Sequence, residues 1–181
     1  MIDWNLTGQY AALFLIDGIT GYFLQSMGCV LAIHAFNKKQ ITARTLVSMA
    51  VVFAAVSFAI RSIPNINFGY HTILIIIVYA ILSCTLFKTA IYPTVLAVLL
   101  TTVSILFFEA LTFAIFTAIL GSGKFNKLFI NARTIVELIR KALLGIPTNI
   151  LLITEMLIIY NYFFKKSEED DLSGKTGERV S

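Results

Sequence analysis

Thirty-two consecutive residues, 89–120, carry one charged side chain, Glu109, no glycine, and a single proline, Pro93, placed where a helix would be in its first turn. A run of this kind has few folding options. In water it would need a core larger than a small domain can build around it. In a bilayer it needs only to satisfy its backbone internally, which a helix does and a lone strand does not. Pro93 is harmless at a helix start, because the N–H it lacks would have no partner there. At 1.5 Å per residue such a helix is about 48 Å long, more than a hydrocarbon core of about 30 Å, so it must tilt or project.

The rest of the chain follows the same pattern. Of 181 residues, 58% are hydrophobic and 13% charged, against about 25% charged in soluble domains, and the mean hydropathy is +0.86. The excess apolar surface has to face an apolar solvent. The fold class expected is an all-α, polytopic membrane bundle of five transmembrane helices plus one amphipathic interfacial helix, forming a single domain over residues 1–166. Charges and turn residues set the spans at about 11–33, 45–63, 70–87, 89–120 and 146–164. Pro64-Asn65-Ile66-Asn67-Phe68-Gly69 supplies turn chemistry for a tight hairpin between the second and third spans.

Residues 127–144 read differently. Leu128, Phe129, Ile135, Val136, Leu138, Ile139, Leu143 and Leu144 alternate with Lys127, Arg133, Glu137, Arg140 and Lys141, the spacing of an amphipathic helix in the interface. Crossing the bilayer with those charges would cost about 2.5–3.5 kcal/mol for each central Arg or Lys. Tyr160, Tyr162 and Lys165-Lys166 form an aromatic belt and basic stop for the last span, and residues 167–181, polar and free of aromatics, read as a disordered cytoplasmic tail. The N-terminus lacks the basic n-region and cleavage site of a signal peptide, so the first span is expected to stay in the membrane.

Orientation comes from the basic residues. With the N-terminus outside and the C-terminus cytoplasmic in the cell membrane, the inner side holds Lys38, Lys39, Arg44, Lys88, Lys165, Lys166, Lys175 and Arg179. The outer side then holds Arg61, Lys124, Lys127, Arg133, Arg140 and Lys141. The bias is small overall but clear at the first span, with Asp3 before it and Lys38, Lys39 and Arg44 after, and that span weighs most.

Ionisable groups at membrane depth are functional candidates by default. They are Asp17, His34, Glu109 and Glu155, with Arg61 and His71 at the outer hairpin. Asp17 and Glu155, about one-third of the way into their spans, are expected to serve helix packing or to have partial water access, and His34, beside Lys38 and Lys39, to sit at the interface. Glu109 either pairs with Arg61 or a ligand, or lies near the interface on a projecting helix. The candidate ligand-binding residues are Arg61, Asn65, Asn67, His71 and Glu109: a fixed cation, a titratable ring, two loop amides and a deep carboxylate. No metal or cofactor is expected, since the two histidines and two cysteines show no ligand spacing and Gly121-Ser122-Gly123-Lys124 is no phosphate loop. The expected partner is the lipid bilayer, not nucleic acid.

The hairpin carries a family resemblance. The stretch from Arg61 to Leu74, RSIPNINFGYHTIL, resembles the R-x-[LI]-P-I-x-F-G-x-H-T-I-L segment in the N-terminal membrane regions of accessory-gene-regulator-like sensor histidine kinases of Gram-positive bacteria. Phe107-Phe108-Glu109-Ala110 resembles that family's L-E in a long fourth helix, and Asn131 to Pro147 its N-P-L-L-R-I-L-x-G-[LI]-P run. The similarity spans roughly residues 40–166. It implies the sensory membrane module of a two-component system, binding a small-molecule or peptide ligand, with a histidine kinase, another membrane protein or a second copy as partner. Only 17 residues follow Phe164, too few for the phospho-accepting and ATP-binding domains, so no enzymatic activity is expected.

Two other readings stay open. The size matches the substrate-binding membrane subunits of energy-coupling-factor transporters, which have six helices, the number present if residues 127–144 count as one. Phe68-Gly69-Tyr70-His71 followed by Cys84 is similar to a motif of membrane cysteine peptidases that process quorum-sensing propeptides, but thirteen residues of helix separate His71 from Cys84 by about 20 Å, and the family's preceding Gly-Gly is missing.

Overall fold

A computed structural model describes residues 8, 15–16, 18–63, 68–123, 125 and 134–177, with side chains placed up to Phe164. A π-helical turn, Gly18–Phe23, leads into α1 (Leu24–Phe36). The chain continues through α2 (Ala43–Arg61), α3 (Phe68–Phe87), α4 (Ile91–Leu120), α5 (Ile135–Leu144) and α6 (Ile146–Gly177). Among the described residues there is no strand. Five segments are long and apolar enough to cross a membrane: Gly18–Phe36, Ala43–Arg61, Gly69–Phe87, Ile91–Leu120 and Ile135–Phe164. The chain is thus an all-α, multi-pass membrane protein.

Local chemistry fixes the helix ends. Thr42 caps α2, its hydroxyl accepting from the Thr45 amide at 3.3 Å. Gly121 ends α4 with φ at +80°, a backbone region where any side chain is strained. Thr134 and Glu137 form a reciprocal capping box at the start of α5. Pro147 falls in the first turn of α6, where its missing N–H separates α6 from α5.

α1 is the central element and packs on α2, α4 and α6. Val30, Ala32 and Ile33 are wholly buried, with Phe53 of α2, Ala97 of α4, and Leu152 and Met156 of α6 around them. Gly28 lets α6 come close: a Cβ there would sit 3.2 Å from Leu152 and 3.7 Å from Met156. Small residues serve this role in membrane bundles, where no solvent effect drives helices together. The outward faces of α3 and α4 remain apolar, with Tyr70, Ile73, Val103 and Phe107 exposed, as a lipid-facing surface requires.

At one end of the bundle the α1–α2 turn clasps the α3–α4 turn. The Asn37 carboxamide accepts from the Ala90 amide (2.8 Å), donates to the Ile33 carbonyl (2.8 Å) and reaches the Thr94 hydroxyl (3.2 Å). Lys39 Nζ donates to the Phe87 and Lys88 carbonyls at 3.1 and 2.8 Å, capping α3. Lys38 and Lys88, both in the left-handed region, make the two turns tight.

The expected architecture of five spanning helices and one amphipathic helix is the one observed, with three differences. α1 runs three residues past Ile33, because Asn37 and not the end of the apolar run terminates it. α6 continues to Gly177, where composition reads as disorder. The span has already met the nucleation cost of that helix, so Lys and Glu need only propagate it. His34, expected at the interface, is enclosed by neighbouring helices at 4% exposure; its Nδ1 lies 3.0 Å from the Val30 carbonyl and its ring packs against Phe87. Of the amphipathic segment 127–144, residues 127–133 lie outside the described residues, as does Asp17; the described part, α5, keeps Arg140 and Lys141 exposed while Leu138 and Leu144 turn inward.

Candidate functional site

The end of the bundle opposite the Asn37 clasp is open and polar inside. α2 ends here at Arg61 and α3 begins here. α4, starting from the far end at Ile91, brings Glu109 back to this level after eighteen residues, about 27 Å of rise. α4 continues eleven residues beyond Glu109 to Leu120, and α5 leads through Gly145 into α6.

Two adjoining cavities occupy this half. The larger, about 450 Å³, lies between the π-turn, α4, α5 and the start of α6, with Gln25, Arg61, Glu109, Lys141 and Asn149 in its wall. The smaller, about 120 Å³, extends deeper between α1, α2, α3 and α4 and ends at a floor of Ser26, Ser57, Tyr79 and Thr101. Gln25, Arg61 and Glu109 line both and form the partition between them.

Arg61 is held by aromatic contacts. Its guanidinium lies 5.3 Å over the Tyr22 ring, and that ring meets Phe58, one turn earlier on α2, edge to face at 5.8 Å. Glu109 is half-buried on α4, near enough to Arg61 for their charges to interact. Among the described residues neither enters an ion pair.

The π-turn takes part in the wall. Asn149 on α6 is 3% exposed, and its Nδ2 donates to the Thr20 carbonyl. Because the partner is a carbonyl, the amide orientation is determined, and Oδ1 remains a buried acceptor with no donor among the described residues. The preceding residue, Thr148, also lines the larger cavity and donates to Thr112 of α4 at 2.9 Å, joining α4 and α6 at its wall.

Of the residues expected from sequence, Arg61 and Glu109 converge on this site. His71 lies on the first turn of α3 with Nε2 buried and unpartnered, and it lines neither cavity, though its neighbour Thr72 does. Asn65 and Asn67 lie outside the described residues. Glu155, midway along the last span, has one carboxylate oxygen buried without a partner, away from both cavities. His71 and Cys84 occupy one unbroken helix, thirteen residues apart. Among the described residues no cluster of His, Cys, Asp and Glu could hold a metal.

Sequence reasoning missed Gln25, Asn149 and the Ser26, Ser57, Tyr79 floor. Each is a polar residue inside an apolar run, but a neutral polar group in a span satisfies its bonding locally so often that its position alone carries little signal. Searches of protein-family models, curated proteins and solved structures find no match to this chain.

Proposed function

We propose that this chain is a membrane-embedded sensory or regulatory module that binds a small ligand in the cleft between Arg61 and Glu109, in the manner of the sensor-kinase input domains its hairpin resembles. The observation that carries the reading is the partition itself. An arginine and a glutamate from different helices, with no ion pair between them, border two adjoining cavities in one half of a membrane bundle. Glu109 lies well inside its span, where a carboxylate is costly unless it meets water, a cation or a ligand. The larger cavity falls in the 300–1,000 Å³ range of small-molecule sites. On this reading the cleft opens to the outside of the cell membrane, the side to which the first-span charge bias assigns Arg61, and occupancy is reported to a partner membrane protein, a histidine kinase for instance, at the cytoplasmic face.

The test is purification of the wild type and Arg61→Ala from native membranes, with mass spectrometry of bound small molecules and of partner proteins. A molecule retained by the wild type and lost from a folded Arg61→Ala protein supports the site, and a co-purifying kinase supports the signalling role. Recovery of a transporter ATPase scaffold would replace that role with a transport one. Equal retention by both proteins sinks the site.

A further inference from the structure

The chemistry of the larger cavity narrows the ligand class, an inference that rests on the binding-site reading above. Its wall carries two cations, Arg61 and Lys141, one anion, Glu109, and the amide residue Asn149, whose buried Oδ1 has no donor among the described residues. Arg61 and Glu109 share the cavity without forming an ion pair. Opposite charges that share one cleft without pairing are complementary to a molecule that carries the reverse pair.

A simple anion would engage Arg61 and Lys141 but would leave Glu109 facing like charge and Asn149 Oδ1 unsatisfied. A simple cation would do the opposite. A molecule with an anionic group at one end and a hydrogen-bearing ammonium at the other answers all four: phosphate oxygens accept from the planar Arg61 fork and the Lys141 ammonium, while ammonium N–H groups donate towards Glu109 and Asn149. A quaternary ammonium has the charge but no N–H, so it satisfies the acceptors poorly.

We infer that the cavity bounded by Arg61, Lys141, Glu109 and Asn149 is a binding site for a phosphoethanolamine group. The same chemistry has two sources in a membrane, the headgroup of phosphatidylethanolamine and a free phosphoethanolamine-type zwitterion. About 450 Å³ accommodates either.

Calorimetry on the purified full chain separates the outcomes, with O-phosphoethanolamine, inorganic phosphate, ethanolamine and phosphocholine as soluble probes. Native mass spectrometry from nanodiscs of phosphatidylethanolamine, phosphatidylcholine or phosphatidylglycerol tests the lipid source. The expected result is at least tenfold tighter binding of the phosphoethanolamine group than of any probe lacking its phosphate or its N–H donors. Glu109→Gln abolishes that preference and, by removing the like charge beside the bound anion, strengthens the binding of inorganic phosphate, which also shows that the variant is folded. Arg61→Gln weakens phosphate and phosphoethanolamine alike, by tenfold or more. Selectivity confined to the lipid assigns the headgroup as ligand, and selectivity confined to the soluble probe assigns the free zwitterion. Equal affinity for phosphate and phosphoethanolamine, selectivity unaffected by Glu109→Gln, or no binding of any probe overturns the inference. In the first two cases the binding-site reading survives if affinity still depends on Arg61, and falls with it if it does not.

Discussion

The Tyr79 hydroxyl donates to the backbone carbonyl of Phe53 at 3.0 Å, while the two rings lie 4.1 Å apart, tilted by 31°. A phenol has one proton to give. With that proton committed to Phe53, the contacts to Ser26 (2.9 Å) and Ser57 (2.7 Å) must be donations from the serines to the Tyr79 oxygen. One hydroxyl thus ties α1, α2 and α3 together at the floor of the smaller cavity. Tyr79→Phe keeps the ring and strands two buried serine hydroxyls. Interhelical hydrogen bonds in membranes average about 0.6 kcal/mol each, and an orphaned buried group costs about 1–3 kcal/mol. The expected loss is about 1–2 kcal/mol, read as a lower midpoint of unfolding in detergent or nanodiscs. Ser26→Ala and Ser57→Ala each cost less, since either leaves Tyr79 one acceptor bond.

At Gly28 the limit is space rather than bonding. An added methyl meets Leu152 at 3.2 Å and Met156 at 3.7 Å, both fully buried. Leu152 Cγ and Cδ2 must shift by a few tenths of an ångström to admit Ala, and better helix propensity offsets that tighter contact, so Gly28→Ala should be nearly neutral. Gly28→Val cannot be absorbed in that way. It forces α1 and α6 apart, with an expected cost of about 1–3 kcal/mol for overpacking, seen as reduced thermal stability and lower yield of folded protein.

How far the chain could be read from its residues depended on the kind of signal. The span of α4 was legible because nothing in residues 89–120 interrupts a helix, and the observed Ile91–Leu120 follows it closely. α1 was less legible at its end, since its stop is a side-chain cap at Asn37 and hydropathy registers only the charges beyond. Its start lies in the same difficulty, because a π-turn changes hydrogen-bond register without any compositional mark. For the site, Arg61 and Glu109 stood out as charges in apolar surroundings. That they would meet required knowing that α4 starts at the opposite end and regains the level of Arg61 only after eighteen residues. Asn149 and Gln25 needed the packing of α6 and α4 against α1, which no local pattern encodes.

The Asn37 clasp offers a prediction at the closed end. Its carboxamide both caps α4 at Ala90 and closes α1 at Ile33. Asn37→Ala removes both, and cap deletions cost about 0.5–2 kcal/mol. Asn37→Asp retains the acceptor for the Ala90 amide and places a negative charge at the N-terminus of α4, which the helix dipole favours. It should therefore recover part of the loss. Thermal unfolding of the three proteins side by side checks the order wild type, Asp, Ala.

The last prediction joins packing to binding. Tyr22 fixes Arg61 from below, its ring 5.3 Å from the guanidinium and braced by Phe58. Tyr22→Leu preserves an apolar body at that position and removes the ring face, so the charge of Arg61 stays while its position loosens. A cation–π contact at such a site is worth about 0.5–1 kcal/mol, which corresponds to about a two- to fivefold weakening when that positional energy is charged to the ligand. Affinity for inorganic phosphate, measured by calorimetry, should fall by that factor in Tyr22→Leu and more steeply in Arg61→Gln, while Tyr22→Phe, which keeps the ring, binds as the wild type does. Unchanged affinity in Tyr22→Leu would mean that Arg61 is positioned by something other than the ring beneath it.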